Sequence, residues 1–157
     1  MNRQPAARVG IIGLGSAGSE AARQLLAAGP ADLILTVFDR EQAQCEPFRG
    51  NATLAATADE ALRESDLVVL ALPGQREIDR TLDRFSDGKV GADIRGKLIW
   101  ILRRLPDPAA AGLRQAIEAA GAAYVAGPAD EATAARLLQQ HFDAAGARAV
   151  LRAIRAA

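Results

Sequence analysis

The stretch RVGIIGLGSAGSEAARQLL, residues 8–26, decides the fold class of this chain. An apolar run at 8–12 leads directly into Gly13, Gly15 and Gly18, which have the spacing G-x-G-x-x-G, and a helical pattern follows. In a dinucleotide-binding turn the first glycine allows the tight turn and the second lets the backbone approach a pyrophosphate. The third lets the helix pack closely on the strand. Because the motif here joins a strand to a helix, it predicts such a turn.

A second signal lies at the end of the next apolar run. Asp39 follows LILTVF, residues 33–38, and stands 21 residues after Gly18. Dinucleotide-binding domains place an acid here to hydrogen-bond the adenosine ribose hydroxyls. Since Arg40 could reach the 2′-phosphate of NADP, the sequence predicts NAD or NADP, with NAD modestly favoured. The alternative is an ordinary strand-to-helix turn in an α/β protein that holds no nucleotide.

Short apolar runs alternate with helical patterns along most of the chain. Predicted strands are 8–12, 33–38, 52–54, 67–72, 97–102 and 122–126, and predicted helices are 17–28, 57–64, 75–85 and 108–120. Strands that alternate with helices form βαβ units with right-handed crossovers, which place parallel strands in one sheet between two layers of helices. We therefore predict an α/β fold, a Rossmann-like doubly wound parallel sheet in three layers.

The last part of the chain has a different pattern. From residue 129 it is helical to the end, with a predicted break at Gly146. We therefore predict a dinucleotide-binding domain over 1–128 and a helical tail over 129–157. The tail carries apolar residues at helical spacings, namely Leu137, Leu138, Phe142, Val150, Leu151 and Ile154. It can cover its own sheet or a second copy. Because AVLRAIRAA is apolar on one side and basic on the other, a homodimer through these helices is favoured.

Composition and charge exclude several classes of protein. Nineteen basic residues balance 19 acidic ones, so no net field attracts nucleic acid or an anionic membrane. No apolar run approaches the ~18 residues of a transmembrane helix and no signal peptide is evident, which predicts a cytoplasmic protein without membrane partners. Cys45 and His141 are the single cysteine and histidine, so neither a disulfide nor a zinc cluster is expected. We expect His141 to have a packing or surface role and not an acid–base role, and Cys45 to be a bystander thiol and not a nucleophile.

Three segments resemble the cofactor domain of the β-hydroxyacid dehydrogenases, which include 3-hydroxyisobutyrate and 6-phosphogluconate dehydrogenases. They are VGIIGLGSAGSEAARQLLAAG, VFDR and SDLVVLALPGQREIDRTL, and the resemblance is weaker over 96–128. It implies that Leu72 and Pro73 line the nicotinamide side of the cofactor. Arg103 follows the fifth strand at the same edge, where its guanidinium could meet an anion or a cofactor phosphate, or simply be solvated. The predicted cofactor-binding residues are Gly13, Leu14, Gly15, Ser16, Ala17, Gly18, Asp39, Arg40, Leu72, Pro73 and Arg103.

The substrate motifs of that family do not occur at the matching positions. After its fifth strand the family has D-x-S-T-x-x-P, whereas this chain has WILRRLPDP, with Arg103 and Arg104 in place of Ser-Thr. The family's D-A-P-V-S-G-G corresponds to AGPADEA, where Pro128 matches but Asp130 and Glu131 replace Ser-Gly. Two acids there would repel a substrate carboxylate.

The sequence also stops before the all-α domain that supplies the family's catalytic lysine. We therefore expect a cofactor-binding half without a competent hydroxyacid dehydrogenase site, and we assign no catalytic residue. Three function classes remain open. They are an oxidoreductase completed by a partner subunit or dimer, a non-catalytic nicotinamide sensor, and a protein-association module.

Overall fold

A computed structural model of the chain describes residues 7–127 and 131–156. Six parallel strands form one sheet in the order β3-β2-β1-β4-β5-β6. The strands are β1 (Arg8–Ile12), β2 (Ile34–Phe38), β3 (Thr53–Leu54), β4 (Leu67–Leu70), β5 (Leu98–Ile101) and β6 (Ala123–Ala126). The helices are α1 (Ser16–Ala28), α2 (Ala58–Arg63), α3 (Gln75–Thr81), α4 (Asp107–Ala119), α5 (Glu131–Leu138) and α6 (Ala144–Arg155). The predicted α/β, Rossmann-like fold with C-terminal helices is confirmed.

The strand order places the functional edge of the sheet. β1 is central and pairs with β2 on one side and with β4 on the other. The chain passes from β3 to β4 across β1, so the direction of strand addition reverses at β1. In open α/β sheets, ligands bind beyond the carboxyl ends of the strands at such a reversal. The glycine turn follows β1 and therefore lies at this point.

Alternate side chains of the central strands enter two separate hydrophobic layers. On β4, Leu67 and Val69 pack on the side of α1 and α6, whereas Val68 and Leu70 pack on the side of α2, α3 and α4. All four residues of this strand are buried. A strand covered on both faces needs a continuous apolar run instead of an alternating one, which accounts for the sequence LVVL.

The C-terminal helices fold back over the same chain. α6 packs on α1, and α5 packs on α6. Five of the six apolar tail residues named above are buried in the layer that contains α1, and Leu137 is partly buried against it. A second copy is therefore not needed to cover this apolar side. The homodimer stays a prediction, but the apolar side of the last helix no longer favours it.

The predicted helix break at Gly146 is wrong. α5 ends at Leu138, and α6 is capped by Asp143, whose carboxylate accepts a 2.6 Å hydrogen bond from the Gly146 backbone N–H. Gly146 is buried in the first turn of α6, and a Cβ there would lie 3.7 Å from Pro30 Cγ. The tightest contact of that Cβ would be with the capping carboxylate, 3.0 Å from Asp143 Oδ1, and this N-cap acid marks the helix start.

The third predicted helix is also shorter than expected. It ends at Thr81, because the chain turns at Asp83, whose φ is 53°. Ile78, Leu82 and Phe85 have the i, i+4, i+7 spacing that predicts a helix over 75–85, but Phe85 is 56% exposed. Ile78 and Leu82 are buried as expected. Two apolar positions four residues apart therefore fix this helix, and the third does not belong to it.

Val150→Ala tests the tail packing. Val150 lies on α6 and is fully buried in the hydrophobic layer that contains α1. We therefore expect Val150→Ala to lower the free energy of unfolding by about 1–3 kcal/mol in a urea titration. Arg148→Ala, on the exposed side of the same helix, is the matched control and should change it by less than about 0.5 kcal/mol. A Val150→Ala protein of unchanged stability would show that this side of α6 is not packed within the chain.

Candidate functional site

A cleft of about 990 Å³ opens at the carboxyl ends of the central strands. Its walls come from the segments that follow β1, β2, β4 and β5, together with the start of α1 and one side of α3. Nine of the eleven predicted cofactor-binding residues line it: Gly13, Gly15, Ser16, Ala17, Asp39, Arg40, Leu72, Pro73 and Arg103. The prediction therefore located residues that are distant in sequence but share one cleft.

The three glycines of the turn have different surroundings. A Cβ on Gly13 would lie 2.3 Å from the Ala71 carbonyl oxygen, and the φ of Gly13 is +99°. A Cβ on Gly18 would lie 1.8 Å from the Gly13 carbonyl oxygen. Around Gly15 no atom lies within 4 Å of that position. The fold therefore requires a glycine at positions 13 and 18. It does not require one at position 15, where a side chain would point into open space beside the cleft.

The start of α1 is open to the cleft. Gly15 is its N-cap and makes no side-chain capping bond, and the first turn contains no acidic residue. Ser16 and Ala17 are exposed. The first N–H groups of a helix lack intrahelical partners and carry a partial positive charge, so an uncapped N-terminus of this kind can receive an anion.

Leu14 and Gly18 are the two predicted residues that do not line the cleft, and both are buried beneath the glycine turn. The Leu14 side chain is 1% exposed and belongs to the α1 layer of the core. Its backbone N–H donates a 2.7 Å hydrogen bond to Oδ2 of Asp39, and its carbonyl accepts a 2.8 Å bond from the Ser19 hydroxyl. Leu14 therefore holds the turn by its backbone and its side chain.

The cleft carries a small excess of positive charge. Arg40, Arg80 and Arg103 line it together with two acids, Asp39 and Glu77. The Arg103 guanidinium donates a hydrogen bond to the Pro73 carbonyl and so joins the segments that follow β4 and β5. A ligand that carries two or three phosphate charges would meet a surface of complementary charge.

Sequence analysis missed the contribution of α3. Glu77, Arg80 and Thr81 line the cleft, and none of them was predicted. They occupy positions i, i+3 and i+4 of a helix that begins right after the β4 loop, beside the buried Ile78. Residues at that spacing share one helix face, so the sequence indicates a polar side of α3, whereas its position as a wall of the cleft follows from the course of the β4 loop.

The single cysteine and histidine do not line the cleft. Cys45 is buried, and burial raises the pKa of its thiol, which makes it a poor nucleophile. His141 packs edge-on against Phe142 with ring centroids 6.4 Å apart, and burial lowers its pKa. In the part of the chain that is described, no cluster of three or more acidic, cysteine or histidine side chains could hold a metal.

In the sequence, Arg104, Pro128 and Asp130 occupy positions that match the family's substrate motifs. Arg104 does not line the cleft and instead borders a smaller cavity with Arg114 and Tyr124. Pro128 and Asp130 lie outside the described residues.

Within the described residues, no helix has both the length and the apolar character needed to cross a bilayer.

Residues 8–93 match the family model described as NADP oxidoreductase coenzyme F420-dependent. The chain belongs to this family. Members of the F420-dependent NADP oxidoreductase family share the segment that contains β1 to β4 and α1 to α3 here, which holds most of the cleft.

The comparisons also confirm the resemblance to the β-hydroxyacid dehydrogenases. The mitochondrial 3-hydroxyisobutyrate dehydrogenase of Drosophila melanogaster is 32% identical over 89 residues, which cover 56% of this chain and 26% of that protein. The imine reductase of Myxococcus stipitatus in complex with NADP+ is 26% identical with a TM-score of 0.66, over 78% of this chain and 40% of that one. Its V8 variant in complex with NAD+ is similar to the same degree, with coverages of 76% and 38%.

The chain thus spans about a quarter of that dehydrogenase and about two fifths of those imine reductases. It is an NAD(P)-binding Rossmann domain similar to the cofactor half of these enzymes. A reductive aminase from Aspergillus terreus aligns with 97% of the chain at a TM-score of 0.68 and 22% identity, which shows the shared fold.

Proposed function

We propose that the chain binds a nicotinamide dinucleotide across the cleft, with the pyrophosphate over Gly15 at the start of α1. The open space at Gly15 is the observation that carries this proposal, because the fold does not require a glycine there. The uncapped helix start beside it supplies free N–H groups for the phosphate oxygens. A phosphate within hydrogen-bonding distance of the backbone at the start of α1 would explain both the open space at Gly15 and the uncapped helix start.

The ends of the dinucleotide follow from this placement. The adenosine lies towards Asp39 and Arg40 after β2, with the polar side of α3 as the opposite wall. The nicotinamide lies towards Leu72, Pro73 and Arg103 after β4 and β5. Leu72 supplies an apolar surface for one face of the nicotinamide ring, and Arg103 can meet an anionic group or a cofactor phosphate.

NAD should bind modestly more tightly than NADP. The Asp39 carboxylate accepts hydrogen bonds from ribose hydroxyls and repels a 2′-phosphate, whereas Arg40 attracts that phosphate. Calorimetric titrations with NAD+ and NADP+ measure the difference between the two affinities. Arg40→Ala should weaken NADP+ binding more than NAD+ binding and so widen the difference. A wild-type chain that binds NADP+ more tightly would show that Arg40 outweighs Asp39.

A nicotinamide-dependent oxidoreductase reaction is the activity that best suits a domain of this kind. The printed names of its relatives are those of a dehydrogenase and of imine reductases. Because Arg103 and Arg104 replace the family's Ser-Thr pair, we expect the chain alone not to oxidise 3-hydroxyisobutyrate or 6-phosphogluconate. Tight cofactor binding without turnover would favour the role of a nicotinamide sensor, and turnover restored by a second polypeptide would favour a completed enzyme.

The homodimer through the C-terminal helices and the cytoplasmic location remain proposals. Since the apolar side of α6 is buried within the chain, a dimer would have to use other residues of α5 or α6. Light scattering at micromolar concentration decides between one copy and two. A monomeric mass would remove the dimer and leave the nucleotide proposal as it stands.

A further inference from the structure

The Asp39 carboxylate is already engaged by the protein backbone. Its Oδ2 accepts a 2.7 Å hydrogen bond from the Leu14 N–H, and its Oδ1 accepts a 2.8 Å bond from the Glu41 N–H. The adjacent Phe38 carbonyl accepts a 2.8 Å bond from the Gly13 N–H. Two successive residues at the end of β2 therefore hold two successive residues of the glycine turn.

Of the two bonds that join the end of β2 to the glycine turn, the one to Leu14 depends on the Asp39 side chain. The Phe38–Gly13 bond is made between backbone groups and survives any substitution at residue 39. Leu14 lies between Gly13 and Gly15, which are the residues with the greatest backbone freedom in the turn. A charge-assisted bond at this point restricts the peptide groups that must face the pyrophosphate.

We infer that Asp39 is a positioning residue that fixes the glycine turn for the phosphates, in addition to any contact with the ribose. In this role its carboxylate acts on the pyrophosphate through the Leu14 backbone, 25 residues away in sequence. The two roles predict opposite results for NADP. A residue that only selects the ribose hinders NADP binding, so its loss helps NADP. A residue that fixes the turn supports every dinucleotide, so its loss weakens NADP as well.

Asp39→Ala and Asp39→Asn separate the two roles. Alanine removes both acceptor oxygens and the charge together. Asparagine has one carbonyl oxygen, which can still accept from the Leu14 N–H, while the bond from the Glu41 N–H is lost. We expect Asp39→Ala to weaken both NAD+ and NADP+ binding by at least about tenfold, the equivalent of one charge-assisted hydrogen bond. Asp39→Asn should keep NADP+ binding at the wild-type level or tighter, because it retains the Leu14 bond and loses the charge.

Glu41→Ala is the matched control. It removes a neighbouring negative charge, but its backbone N–H and both Asp39 bonds remain. NADP+ affinity should change by less than about threefold in this variant, as expected for an exposed charge in water. Equal thermal midpoints of the variants would ensure that differences in affinity are not differences in folding.

Amide hydrogen exchange at Leu14 tests the inference without any nucleotide. In the unliganded protein, exchange at Leu14 should be at least about tenfold faster in Asp39→Ala than in the wild type, and slow again in Asp39→Asn. The affinity measurements rest on the proposed function, whereas this one does not. If no variant binds nucleotide but Leu14 exchange follows this order, the proposed function fails and the positioning role stands. Unchanged Leu14 exchange in Asp39→Ala, or tighter NADP+ binding by that variant, would overturn the inference.

Discussion

Gly15→Val should weaken the binding of both NAD+ and NADP+ by about a hundredfold or more while the protein folds normally. The second glycine of the turn has no neighbour within 4 Å of a Cβ, and its φ of −69° is one that valine adopts readily. The new side chain therefore fits the unliganded chain but occupies the space above the start of α1. Losing one or two charge-assisted bonds between backbone and phosphate, each worth about 1.5–3 kcal/mol, accounts for the size of the effect.

Gly112→Val is the matched control for this substitution. Gly112 lies on α4, away from the cleft, and a Cβ there also meets nothing within 4 Å. The same chemical change should leave nucleotide affinity unchanged in isothermal calorimetry. If Gly15→Val keeps its wild-type affinity in a folded protein, the pyrophosphate does not lie over Gly15.

Gly18→Ala should act on folding instead. Its Cβ would lie 1.8 Å from the Gly13 carbonyl oxygen and 3.0 Å from the Ala71 Cβ, so α1 must move away from the turn by more than 1 Å. Such overpacking costs typically about 1–3 kcal/mol. For a chain of this size each kilocalorie per mole lowers the melting temperature by about 2–4 °C, so we expect a fall of roughly 2–12 °C in differential scanning calorimetry.

Gly15→Ala gives the contrast for that measurement. A single methyl group at the open position should leave the melting temperature within about 2 °C of the wild type, since it contacts no other residue. If Gly18→Ala melted at the wild-type temperature, the close approach of α1 to the Gly13 carbonyl would be disproved. The two glycines, three residues apart, thus separate a requirement of ligand binding from a requirement of packing.

The parts of the fold that the sequence predicted well are those determined by local chemistry. All six strands occur where apolar runs were seen, because a buried parallel strand must be apolar on both faces. The spacing of Gly13, Gly15 and Gly18 predicts the glycine turn, and the neighbours of the first and third leave no room for a side chain. Asp39 was chosen for its place at the end of β2, and it does line the cleft.

Features that depend on contacts between distant segments could not be predicted in this way. The bond from Arg103 to the Pro73 carbonyl joins residues 30 apart, and nothing local to either residue indicates it. Glycine commonly ends helices, so the sequence predicts a break at Gly146, but the break lies between α5 and α6, which pack on each other as separate helices. The role of α3 as a wall of the cleft depends on where the β4 loop turns, which the apolar stripe of the helix does not reveal.

Amide chemical-shift mapping of the ¹⁵N-labelled chain during titration with NAD+ or NADP+ tests the central claim most directly. We expect saturable shifts at Gly13, Gly15, Ser16 and Ala17, with further shifts at Asp39 and Leu72, and none along the exposed side of α6. Gly15→Val should lose all of them at the same nucleotide concentration. Wild-type spectra unchanged at millimolar nucleotide, or shifts confined to residues outside the cleft, would contradict the assignment of this cleft as a dinucleotide site.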